Sequence, residues 1–144
     1  MKVGAKRNLL IDKTTDFQFC SFIDDDDLVS PNYVSKILKA LESNPDCIGI
    51  EGIITFNGNR PKKFIHSMKY SKWDETQEAY LRYPNHLNPI KTNLVKQVRF
   101  PETNYGEDKD FSDRIYPLLK TEVYIPEPIY FYLYDDKKSA TKDR

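Results

Sequence analysis

The sequence predicts an α/β or α+β fold, a single sheet with helices packed on it. Three observations carry that prediction: the nearly unbroken apolar run "FQFCSFI" at 17–23, the helix signal that follows at Ser30 and Pro31, and the order strand, helix, hairpin, helix, strands along 144 residues. With 39% hydrophobic and 13% aromatic residues the chain can bury the core of one domain.

The elements follow in order. "GAKRNLLIDKTT" (4–15) sets Ala5, Leu9 and Leu10 at helical spacing and leaves Lys6, Arg7 and Lys13 elsewhere, so it reads as a helix. Phe17–Ile23, short, aromatic and apolar, suits a strand covered on both faces, with Cys20 buried in it. Ser30 as N-cap and Pro31 at the first helical position open the next helix, whose buried stripe is Val34, Ile37, Leu38 and Leu41, ending near "SNPD". Residues 47–67 form a hairpin turning at Asn57-Gly58 or over a longer loop to Pro61. Residues 68–92 are a loop region with one short strand at Tyr80 to Arg82. "TNLVKQV" is a short helix, and "GEDKDFSDRIYPLL" is another that Pro117 ends or kinks. "EVYIPEPIYFYLY" gives two strands split by prolines. Residues 1–134 make the domain and 135–144 a frayed tail.

Twenty-two basic residues balance 22 acidic ones, so global charge draws the chain toward neither nucleic acid nor an anionic membrane. The N-terminal apolar run "LLI" is too short for a signal peptide and no window approaches a membrane span, so a cytoplasmic protein is expected. Cys20 and Cys47 lack CxxC spacing and a His cluster, which favours free thiols in a reducing compartment.

Two acidic constellations stand out. The first is Asp24–Asp27, directly after the apolar strand, where open α/β sheets place their ligands. Two carboxylates ~4 Å apart repel by about 1 kcal/mol in water and by about 4 kcal/mol in a partly buried site. A divalent cation removes that cost, and oxygen ligands suit Mg²⁺ or Mn²⁺. A solvated acidic turn leading into the helix is the competing explanation. The second is "NYGEDKDFSDRI" (104–115), where Glu107 and Asp108 follow a glycine and open a helix. Asn104 and Glu107 have capping-box spacing, and acidic residues in a first turn contribute ~0.3–1 kcal/mol each. The same dipole keeps Asp108 ionised, the state a general base needs.

"KRN" before the apolar strand, the Asp run, "SPNYV" and the later "GEDKDF" together resemble the family 2 glycosyltransferases, over nearly the whole chain. The resemblance implies a partial GT-A fold: a Rossmann-like nucleotide-sugar transferase domain with a mixed sheet flanked by helices. It implies metal-dependent, inverting transfer from a nucleotide-sugar donor, UDP-linked or similar, to a hydroxyl of a carbohydrate or glycan acceptor. The Asp run then stands for the DxD motif: Asp24 and Asp25 approach the donor's ribose and diphosphate, Asp26 (with Asp24) holds Mn²⁺ or Mg²⁺, and Asp27 only prepares the next helix. Arg7 matches the donor-side arginine, and its planar guanidinium suits a diphosphate. Lys6 adds charge beside it or is a surface residue. Asp108 is the implied base and Glu107 shapes the acceptor pocket. "HLNPIKTNL" places His86, Asn88 and Lys91 on the acceptor side, and Trp73 offers a sugar a stacking face or belongs to the core.

The family's domain begins with two βα units that bind the nucleotide base, about 60 residues or more by the usual size of such units. Here the chain starts just before "GAKRN". The expectation is therefore a fragment, an alternative start, a half completed by another chain, or a non-catalytic glycan- or nucleotide-binding module. A sheet lacking its first strands would expose an edge that self-association covers. A different Mg²⁺-dependent phosphate enzyme is disfavoured, since no Gly-rich phosphate loop is present.

Overall fold

The structure, a computed structural model, describes residues 1–14 and 18–136. The expected end of the first helix, the start of the first strand at Phe17 and most of the C-terminal tail lie outside the described residues.

The sheet is mixed, eight-stranded and flanked by helices, as the sequence predicts. At its centre β3 (Cys47–Phe56) runs parallel to β8 (Glu122–Tyr134) and antiparallel to β4 (Asn59–His66). β4 pairs in parallel with β6 (Ala79–Arg82), which carries the short β5 (Asp74–Glu75) on its far side. Beyond the end of β4, β7 (Ile90–Lys91) meets Cys47 of β3, and β1 (Phe19–Cys20) pairs with β7. β2 (Leu28–Val29) pairs with β8. The helices are α1 (Val3–Asp12), α2 (Tyr33–Ala40), α3 (Thr92–Val98) and α4 (Glu107–Ile115).

Neighbouring residues of a strand face opposite sides, so β3 feeds two cores. Cys47 joins Ile11, Ile90, Val95, Phe100, Phe111 and Ile115 on one side. Ile48 and Ile50 join Tyr33, Phe64, Ile125, Ile129 and Tyr130 on the other. At Gly52 a Cβ would lie 2.2 Å from the Phe64 ring and 2.4 Å from the Tyr130 carbonyl oxygen, so only glycine lets these strands close up. The hairpin turns at Asn57 (φ 53°) and Gly58 (φ 80°), both left-handed as a two-residue β-turn of this kind demands.

Four expectations are corrected. The strand expected over Phe17–Ile23 and inside the sheet is regular only at Phe19–Cys20, on the sheet's margin; Phe19 and Cys20 are half-buried, and Ile23 is 46% exposed. The apolar run packs one way, Cys20 and Phe22 lying against the Phe100–Phe111 core, so it has one covered face, not two. α2 begins at Tyr33 with Asn32 in the N-cap position, because Ser30 still belongs to the strand pairing, its N–H donating to the Ile129 carbonyl. That start turns Tyr33, Ile37, Ala40 and Leu41 to the core and leaves Val34 and Leu38 65% and 61% exposed. β8 is one strand: Pro128 stands opposite Glu51 where the pairing with β3 shifts register, and a bulge tolerates a residue without an N–H. Cys47 is buried and Cys20 half-buried, and both are free thiols. Among the described residues, no helix is long and apolar enough to cross a membrane.

Candidate active site

The carboxyl ends of the parallel pair β3 and β8 lie together, and the acidic run closes a turn beside them, the Asp27 N–H donating to the Asp24 carbonyl at 3.0 Å. Asp25 and Asp26 form the exposed tip, and Asp24 and Asp27 are half-buried. Tyr130 on β8 supports the turn: its hydroxyl accepts from the Asp24 N–H at 3.1 Å and donates to the Asp27 carboxylate at 2.6 Å.

α1 brings Arg7 against this turn. Asn8, the next residue, exchanges two hydrogen bonds with the Phe100 backbone at 2.7 and 2.8 Å, which fixes how the helix lies. Arg7 is 9% exposed, with its guanidinium 5.6 Å from the Phe22 ring centre and 5.5 Å from that of Phe100. One of its nitrogens, Nη2, meets the Asp24 carboxylate at 3.1 Å, and Nη1 stands 3.8 Å from Glu107. His86 Nε2 approaches the other Asp24 oxygen at 3.5 Å. Two buried nitrogens, Arg7 Nη1 and His86 Nδ1, have no hydrogen-bond partner among the described residues.

α4 supplies the second carboxylate pair. Its N-cap is Gly106, in left-handed backbone at φ 72°, and no side chain caps it. The Asn104–Glu107 capping box is therefore absent: Asn104 accepts instead from the Val3 N–H of α1 at 3.1 Å, and Glu107 turns toward Arg7. Glu107 is buried and Asp108 half-buried.

The charges are tuned unequally. Burial opposes ionisation of Asp24, but His86 and Arg7 outweigh it and hold its carboxyl below the ordinary value. Burial raises Asp27 against the hydrogen bonds from Tyr130 and Leu133, and the neighbouring Asp24 and Asp26 charges add to the rise. Glu107 is raised by burial, with Asp108 adding to it and Arg7 opposing. Tyr132 is pushed up to about 12 by burial and then by Asp27, Asp24 and Asp108. One phenol thus feels both acidic constellations, which face a common cleft of about 660 Å³.

That cleft gathers Lys6, Arg7, Asp24, Asp25, Asp26, His86, Glu107 and Asp108. Three expected acceptor-side residues stand elsewhere. Asn88 is fully buried and bonds the carbonyls of Ile48 and His66. Lys91, beside the opposite end of β3, pairs with Asp46 at 3.3 Å. The Trp73 ring has the Arg82 guanidinium 4.3 Å and the Lys109 ammonium 4.9 Å from its centre and does not line this cleft. His86 does line the cleft, but beside Arg7 and Asp24, the expected donor side. A second groove, of about 700 Å³, lies by the hairpin turn among Phe56, Arg60, Lys62 and Tyr80, and holds none of these residues. Among the described residues, no three or more His, Cys, Asp and Glu side chains converge as a ready metal cage.

The mixed sheet flanked by helices is, in part, a fold of the GT-A kind, as its likeness to the solved structures below shows. No family model matches the chain. It is similar to Glycosyltransferase GlyA of Streptococcus pneumoniae, with 20% identity over 129 residues that cover 79% of this chain and 18% of that protein. Among solved structures, S. aureus TarS 1-349 in complex with UDP aligns with a TM-score of 0.68 and 15% identity, over 94% of this chain and 41% of that one. A second structure of TarS 1-349 aligns at 0.64 with 18% identity, over 92% and 40%. The chain therefore spans well under half the length of each of these relatives.

Proposed function

We propose that this chain forms the donor-diphosphate and acceptor-activating part of a glycosyltransferase, which moves a sugar from a nucleotide donor to an acceptor hydroxyl with inversion. The observation that carries the reading is Arg7, which spans 3.1 Å to Asp24 and 3.8 Å to Glu107 and so ties both acidic constellations to one cleft. The UDP in the TarS complex favours a uridine diphosphate donor.

In this reading Arg7 presents Nη1, free of a hydrogen bond in the described structure, to a diphosphate oxygen while Nη2 keeps Asp24 in place. Asp108, half-buried at the start of α4, receives the acceptor proton as the hydroxyl attacks the anomeric carbon. Glu107 anchors that end of the helix through Arg7. Attack on the face opposite the departing diphosphate inverts the anomeric centre.

The donor set fits a hard cation completed by substrate phosphates and water. Asp24 is engaged by Arg7 and His86, which leaves Asp26 at the turn's tip, with Asp25 beside it, as the carboxylates open to Mn²⁺ or Mg²⁺. A bound cation would supply charge neutralisation for the leaving diphosphate.

The test is calorimetry of the chain against UDP and UDP-sugars, with and without Mn²⁺, followed by a transfer assay. Asp26→Ala is expected to abolish the metal-dependent part of donor binding. Asp108→Asn is expected to spare binding and lower turnover by roughly 10²–10⁴. Absence of nucleotide binding sinks the proposal, and binding without turnover points instead to a glycan- or nucleotide-binding module.

A further inference from the structure

Asp27 is the member of the acidic run to which donor binding assigns nothing, yet both of its carboxylate oxygens are hydrogen-bonded. Oδ2 accepts from the Tyr130 hydroxyl at 2.6 Å and Oδ1 from the Leu133 N–H at 3.0 Å. The same hydroxyl accepts from the Asp24 N–H, so one phenol joins the first and last residues of the turn. Tyr130 has little freedom to follow a moving turn. Its residue is 0% exposed, its ring lies edge-on to Phe64 at 6.2 Å, and its strand is paired along the length of β3. The chain leaving the turn is held as well, with Leu28 opposite Phe131, Val29 opposite Tyr130 and the Ser30 N–H donating to Ile129.

We propose that Asp27 and Tyr130 are positioning residues, a latch that fixes the acidic turn on β8 and so sets where Asp25 and Asp26 stand in the cleft. The ligand side of this inference rests on the glycosyltransferase reading above; the latch itself does not. A cation taken by Asp27 would compete with a buried phenol and a backbone N–H for the same two oxygens. Carboxylates held this way orient their neighbours for a ligand. The latch also joins the turn to the strand that carries Tyr132, another wall of the cleft, so turn and wall keep their register together.

The test uses Tyr130→Phe, which keeps the ring and removes the hydroxyl, and Asp27→Asn, in the whole chain. Without ligand, amide hydrogen exchange at residues 24–29 and 131–133 is expected to quicken about tenfold or more in Tyr130→Phe, with β4 unchanged. Unchanged exchange overturns the latch. In titrations with UDP and MnCl₂, both variants are expected to lose about 10–100-fold in manganese-dependent affinity, with manganese-free UDP binding kept within about twofold. Full manganese dependence in Tyr130→Phe beside its loss in Asp27→Asn makes Asp27 a ligand and overturns the positioning role. If the unmodified chain binds neither UDP nor manganese, the glycosyltransferase reading fails, and the exchange experiment still decides the latch.

Discussion

His66 shows how far burial governs a single side chain here. It is 4% exposed at the end of β4, with its ring 4.8 Å from that of Phe64. Burial, then Arg82 and His86, outweigh the polar contacts of Asn85 and Asn88 and lower its pKa from 6.5 to about 3. The folded chain thus binds fewer protons at this site than the unfolded chain, so the stabilisation is present above pH 6.5 and is lost as pH falls toward 3. Between pH 7 and pH 5 the loss from this group is about 2 kcal/mol. His66→Phe is expected to remove that part of the slope in urea denaturation at the two pH values; an unaltered slope would refute the assignment. At this scale the sequence was most informative where charge is patterned locally. Arg7, Asp24–Asp27, Glu107 and Asp108 could be singled out because each sits in a short motif beside a strand or at a helix start. Asn8 and Tyr130 could not, since Asn8 finds its partner 92 residues away and Tyr130 reaches back 106 residues to Asp24.

Among the elements, α2 separates periodicity from phase. Its apolar residues do recur at helical spacing, but a shift in where the helix starts moved the buried face from Val34 and Leu38 to Tyr33, Ile37 and Ala40. Sequence alone favoured Ser30-Pro31 as the start; the pairing of β2 with β8, invisible from local pattern, claims Ser30 for the strand. Val34→Lys and Leu38→Lys are therefore expected to change stability by less than about 0.5 kcal/mol. Tyr33→Ala is expected to cost about 3 kcal/mol. Denaturant midpoints of the three variants check this, and a large loss from either lysine would mean that those apolar side chains are covered in solution. β8 was misread for a related reason: prolines interrupt a strand in sequence, whereas a register shift against β3 accommodates Pro128 in space.

For the whole molecule, element types and their order were legible, and the location of a strand within the sheet was not. An apolar run reads as buried whether one face or both are covered, and β1, paired with β7, is covered on one. Ile23, three residues beyond it, is 46% exposed. Among the described residues β1 pairs along one edge only, and an open strand edge beside apolar surface is a template for another strand. We propose that isolated chains associate through this margin. Sedimentation at micromolar concentrations is expected to show a mass that rises with concentration, and Ile23→Lys to return it to the monomer value. A constant monomer mass for the unsubstituted chain would exclude the association.

The bond that the Asp27 carboxylate accepts from the Leu133 N–H closes a loop of 106 residues, so the acidic turn can settle only once β8 is in place. During synthesis Asp27 emerges 106 residues ahead of Leu133 and remains without its phenol and amide donors until the end of β8 has been made. Contacts this distant in sequence are slow to form, because the entropy of closing the loop is lost before the contact is gained. Competence to bind at the turn should thus appear with the docking of β8, and a nascent chain halted before Tyr130 would carry the acidic residues without the geometry that gives them a use.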